Sequence, residues 1–98
     1  MLPPKVRNYV NKLQEATDND EISWASDLDE AEVTGAFNDS TVRIRYRFDE
    51  LSELGVFYIR ITDKHGKEGA FEASQEYSSD YEKLRILFDS AQACDLDI

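Results

Sequence analysis

One histidine, His65, and one cysteine, Cys94, are the chain's only residues of those two types. Nucleophilic catalysis by a thiol or hydroxyl requires a positioned base. His65 lies in Asp63-Lys64-His65-Gly66, a turn sequence far along the chain from Cys94. The pair reads as a solvated turn histidine and a small apolar side chain near the last helical turn, so no enzymatic activity is expected. Carboxylates are abundant, and acid and base work by a pair of them would need a pocket that fixes their geometry. Asp18-x-Asp20 and Asp27-x-Asp29 lack the glycine and the distal glutamate of a calcium loop, and no histidine or cysteine cluster offers a zinc or iron site. Neither a metal nor a cofactor is expected.

Two charge patterns carry the remaining information. Residues 42–48 read Val-Arg-Ile-Arg-Tyr-Arg-Phe. Strand alternation points Val42, Ile44, Tyr46 and Phe48 to a core and Arg43, Arg45 and Arg47 to the opposite face. Tyr58 and Arg60 on a neighbouring strand are expected to share that face, and the five residues form a candidate docking face. Such a surface could hold single-stranded nucleic acid by phosphate contacts and stacking. It could instead be paired internally with Glu32, Glu68 or Glu72, at roughly 0.2–1 kcal/mol per cross-strand pair. A third reading docks an acidic or aromatic partner, a second copy of the chain included.

The second pattern is the excess of acid, a formal net charge of -10. Residues 1–40 carry three basic and nine acidic groups, residues 41–73 six of each, and residues 74–98 two and six. Between Lys12 and Arg43 no basic residue occurs. Such a surface repels nucleic-acid backbones and attracts basic partners. The acidic belt of Glu15, Asp18, Asp20, Glu21, Asp27, Asp29 and Glu30 is therefore the candidate partner-binding surface. Trp24, on a short strand between two acidic clusters, is either a lid on the core or a binding anchor.

The elements that would position these groups follow from periodicity. Proline suits a helix start, and Val6, Tyr9, Val10, Leu13 and Ala16 keep helical spacing, which predicts a helix from about Pro4 to Thr17. Ile22-Ser23-Trp24 predicts a short edge strand or a lid. Strands are predicted near 31–37, 42–48, 56–62 and, more weakly, 67–73, with Asn38-Asp39-Ser40 as a hairpin connection. Residues 49–55 read as a loop or one helical turn. Ser79-Asp80-Tyr81-Glu82 is a capping-box sequence, and it predicts a last helix that buries Tyr81, Leu84, Leu87, Phe88 and Ala91 with Ile86 off that face. The fold class is α+β: an N-terminal helix, a three- to four-stranded antiparallel sheet and a C-terminal helix, with both helices on one sheet face. Ninety-eight residues make a single domain, 1–98, because a chain this short buries only roughly 60–65% of its unfolded surface.

A leading helix followed by Glu-Ile-Ser-Trp (21–24), an Asp-x-x-Gly turn (63–66) and a closing Asp-Tyr-Glu-x-Leu-x-x-Leu-Phe-x-x-Ala (80–91) is similar to a loose class of small uncharacterised bacterial and phage proteins. The resemblance spans most of the chain, rests on capping and core positions, and implies a fold without implying an activity. The arginine segment departs from that pattern.

Together these features predict a small cytoplasmic, non-catalytic protein-binding module that recognises a basic protein partner electrostatically, of an inhibitor, immunity or accessory type. The single cysteine agrees with a reducing compartment. No apolar run approaches the ~18 residues of a membrane helix, so no membrane is expected. The alternative is single-stranded nucleic-acid binding through the arginine face, which the acidic surroundings disfavour; the third reading is a homodimeric structural or regulatory domain. A homodimer is expected because one chain of this size leaves a sheet face or edge uncovered.

Overall fold

The computed structural model describes residues 1–96, apart from the side chain of Ser78. Residues 97 and 98, which belong to the acidic last segment and to the expected single domain, lie outside the described residues. The order is α1 (Pro4–Asp18), β1 (Trp24–Asp27), β2 (Glu32–Phe37), β3 (Ser40–Asp49), β4 (Leu54–Thr62), β5 (Glu68–Ser74) and α2 (Ser78–Cys94).

Pro3 caps α1 in an extended conformation (φ -61°, ψ 152°) and Pro4 occupies its first turn, where a missing N–H costs nothing. The helix buries Val6, Val10, Leu13, Ala16 and Thr17 along one stripe. It ends when Asp20 turns left-handed (φ 57°) and the Glu21 N–H donates back to the Ala16 carbonyl at 2.8 Å. The five strands form one antiparallel meander in the order β1-β2-β3-β4-β5. Asn38 and Asp39 both have positive φ (49° and 64°), the geometry of the two-residue turn whose twist matches a hairpin, and they fix the β2–β3 register.

Both helices lie on the same face of the sheet. Asp80 bonds Arg7, Lys83 bonds Asn11, Ser90 bonds Gln14 and Cys94 contacts Thr17. Residue numbers rise together along both helices, so α1 and α2 run parallel and their C-termini lie side by side. Between helices and sheet sit Leu13, Val33, Val42, Ile44, Ile59, Leu84 and Leu87, with Phe57 packed between Tyr46, Tyr81 and Phe88 at ring separations of 5.1–5.4 Å.

Three expectations are corrected. The sheet has five strands rather than three or four, because residues 24–27 pair with β2 along their whole length and residues 68–74 pair with β4. Phe48 is 56% exposed: it is the last inward position of β3, and it faces Gly55, which has no side chain to pack against it, at the turn end of the β3–β4 hairpin. The capping box does not form: α2 starts two residues earlier, with Tyr77 in place of Ser79 as N-cap and no side-chain cap. Ser79 lies inside the helix and the Glu82 carboxylate is taken by Arg85 at 2.7 Å. The link after β3 is a turn, with Glu53 at φ 58°.

Candidate functional site

The acidic belt divides into two groups. Glu15 and Asp18 are exposed on the second half of α1, and Asp20 and Glu21 in the connection that follows it. The parallel packing adds a residue that sequence spacing could not bring there: Asp95, the C-cap of α2, accepts the Ser26 N–H at 3.0 Å and so blocks an outward-facing amide of the edge strand β1. Neither helix has a basic residue in its last turn. Each helix C-terminus carries roughly half a negative charge, so two dipole ends and the carboxylates of Asp18, Asp20 and Asp95 share one corner. Cys94 senses that field: partial burial and the charges of Asp20 and Asp18 push its thiol pKa up.

The second group lies at the β1–β2 turn. Asp27 accepts the Glu30 N–H at 3.2 Å and closes the turn. Ala31 is left-handed (φ 50°) and its carbonyl accepts the Tyr46 N–H at 3.0 Å, which folds the turn against β3. Glu30 is thereby carried onto the arginine face. Its carboxylate meets Arg45 at 2.8 Å and Arg47 at 3.3 Å, and its carbonyl accepts from Arg47 at 2.8 Å. Glu32 lies 3.3 Å from both Arg43 and Arg45. Of the three cross-strand partners foreseen, Glu32 therefore pairs, Glu68 is bonded to Thr62 at 3.4 Å, and Glu72 makes no ion pair among the described residues. Glu30, read from sequence as part of the belt, is the partner that spacing missed.

Strand register orders this face into rows. One row reads Ala25, Thr34, Arg43, Arg60, Ala70, and the next Asp27, Glu32, Arg45, Tyr58, Glu72. Tyr58 and Arg60 thus stand directly across from Arg45 and Arg43. Trp24 takes the core position instead: it is 5% exposed, rests over Gly35, and donates its indole N–H to Thr17 Oγ1 at 3.0 Å. A hydroxyl that donates to the Leu13 carbonyl at 2.6 Å while accepting from Trp24 explains why Thr17 is buried. The aromatic side of Trp24 offers no surface to a partner.

Asp80, which the sequence presents only as an inner position of the capping-box motif, has a structural role. Only 3% exposed, it accepts the Leu2 N–H at 2.8 Å and Arg7 Nε at 2.9 Å, joining the start of α1 to the start of α2. Burial works to raise its pKa, but the Leu2 amide and the hydrogen bond and charge of Arg7 outweigh burial and hold it below the ordinary carboxylate value. His65 is exposed in the β4–β5 turn, and its backbone N–H donates to Asp63. Cys94 ends the helix that reaches β1, at the other edge of the sheet, so the two form no nucleophile–base pair. Among the described residues no three histidine, cysteine or acidic side chains converge on a common metal position, and no helix is long and apolar enough to cross a membrane. Comparison with protein-family models, curated proteins and solved structures gave no significant match.

Proposed function

We propose that this protein is a non-catalytic binding module that captures a basic protein partner electrostatically, as an inhibitor, immunity or accessory protein would. The observation that carries this reading is the convergence of the two helix C-termini with Asp18, Asp20 and Asp95 and with no base in either last turn. Cations gain about 0.3–1 kcal/mol at a single exposed helix C-terminus; a lysine or arginine docking here meets two such ends and three carboxylates together. Opposed charges of this kind accelerate encounter and fix orientation more than they add raw affinity. The engagement of Arg43, Arg45 and Arg47 with Glu30 and Glu32 favours this reading over an extended nucleic-acid strand on the sheet. The free thiol of Cys94 agrees with a cytoplasmic setting. In a homodimer, the edge strand β5 is where a second copy would add.

The reading is tested by titrating isotope-labelled protein with a lysine- and arginine-rich peptide and following backbone amide shifts. Shifts should concentrate at residues 15–21 and 94–96, and affinity should fall steeply between low and physiological salt. Affinity indifferent to salt, or shifts spread evenly over the surface, would contradict it.

A further inference from the structure

We propose that the uncovered face of the sheet carries a second site, for a small phosphorylated ring compound of mononucleotide size, with its phosphate between Arg43 and Arg60 and its ring on Tyr58. The face holds a depression of about 390 Å³ whose lining includes Arg43, Arg45, Tyr58, Arg60, Ala70 and Glu72. Small-molecule sites have volumes of roughly 300–1,000 Å³.

The charges inside it are uneven. Glu30 serves Arg45 and Arg47, and Glu32 is shared between Arg45 and Arg43. Arg60 has no carboxylate within ion-pair distance among the described residues, and its direct neighbour across the β3–β4 pair is Arg43, itself held by one 3.3 Å contact. Like charges directly opposite on a sheet repel, so these two guanidiniums want an anion between them. A phosphate monoester, with about -1.5 to -2 charge and three terminal oxygens, can accept from both at once. Ala25 and Thr34 lie beyond Arg43 in this row, and Ala70 beyond Arg60, so short uncharged side chains leave the gap open on both sides.

The next row supplies the platform and the limit. Tyr58, 39% exposed, stands beside the two arginines and offers the flat apolar surface on which a base or similar ring stacks. Asp27 and Glu32 end that row on one side and Glu72 on the other. An extended polyanion leaving the depression meets these carboxylates and the field of a protein carrying -10 overall. A single phosphate with one ring avoids both. The site lies on the sheet face, away from the acidic corner, and either proposal can fail without the other.

The test is a titration of labelled protein with adenosine monophosphate, and separately with inorganic phosphate, adenosine and a short oligothymidylate, observed through backbone amides and arginine Nε–H signals. Adenosine monophosphate should shift Arg43, Tyr58, Arg60 and Ala70 saturably, and phosphate should shift the arginines alone. Arg60→Gln should weaken the nucleotide by about tenfold or more, in line with loss of a charge-assisted bond. Tyr58→Ala should weaken the nucleotide by about fivefold or more while leaving phosphate unchanged. Both residues are exposed, and an unchanged melting temperature verifies each variant's fold. The proposal is overturned if millimolar nucleotide gives no saturable shift, if Arg60→Gln binds as the parent does, or if shifts appear equally at the surface lysines. Tighter binding of the oligothymidylate than of the monophosphate would replace the small ligand with a strand.

Discussion

Replacing Asp80 with alanine should destabilise the fold far more than its place near the start of a surface helix suggests. The carboxylate is 3% exposed and accepts both the Leu2 N–H and Arg7 Nε, at 2.8 and 2.9 Å. Once it is gone, Arg7, whose side chain is 37% exposed, can turn to water at little cost. The Leu2 amide cannot, and a buried donor without an acceptor costs about 1–3 kcal/mol. With the tie between α1 and α2 also lost, the total is about 2–4 kcal/mol, below the ~3–5 kcal/mol of breaking a wholly buried pair. At about 4–8 °C per kcal/mol for a domain of this size, melting should fall by roughly 10–30 °C. Denaturant unfolding of Asp80→Ala, Arg7→Ala and the double variant measures this, and the double variant should lose less than the sum of the singles. The pH dependence has a definite sign. A carboxylate whose folded pKa lies below its unfolded value of ~3.9 contributes stability that is present above that pH and is lost as pH falls through the folded pKa. Asp80→Asn should therefore lose less stability on acidification than the parent. A cost under about 0.5 kcal/mol for Asp80→Ala, the range of an ordinary surface change, would mean that the Asp80 carboxylate does not tie the two helix starts together.

Other expectations follow from single contacts. A Cβ at Gly35 would lie 2.8 Å from the Trp24 ring, which is buried and cannot yield, so Gly35→Ala should cost about 1–3 kcal/mol in thermal unfolding. A cost near zero would show that the ring shifts freely. Because Cys94 is held in the protonated state by partial burial and by Asp20 and Asp18, its alkylation should be slow at neutral pH and should still be rising beyond pH ~8.5, the usual thiol pKa. Asp18→Asn combined with Asp20→Asn should move the rate profile to lower pH; an unmoved profile would mean the corner has no such field.

Periodicity made much of this fold legible. The stripe from Val6 to Ala16 and the alternation of Val42-Arg-Ile-Arg-Tyr each admit one element, and both formed. Legibility failed where tertiary contact overrode local signal. Ser79 to Glu82 has the local chemistry of a capping box, but Asp80 is bound by residues at the other end of the chain and Glu82 by Arg85. Glu30 lies in a turn, where no strand register could align it with Arg45; a left-handed Ala31 and the Tyr46–Ala31 hydrogen bond bring it there. The acidic belt was visible as composition. Its focus was not, because only the parallel packing of two helices far apart in sequence sets Asp95 beside the end of α1.

The proposed binding surface depends on the position of the acids more than on their number. The direct measurement compares the affinity of a lysine- and arginine-rich peptide for the parent, for Asp18→Asn/Asp20→Asn/Asp95→Asn, and for Glu50→Gln/Glu53→Gln/Glu76→Gln. The second variant also removes three negative charges, in the β3–β4 turn and the β5–α2 connection. The corner variant should lose about tenfold in affinity and most of its salt dependence, with the control close to the parent. Equal losses in the two variants would contradict this and reduce the acidic surface to bulk charge.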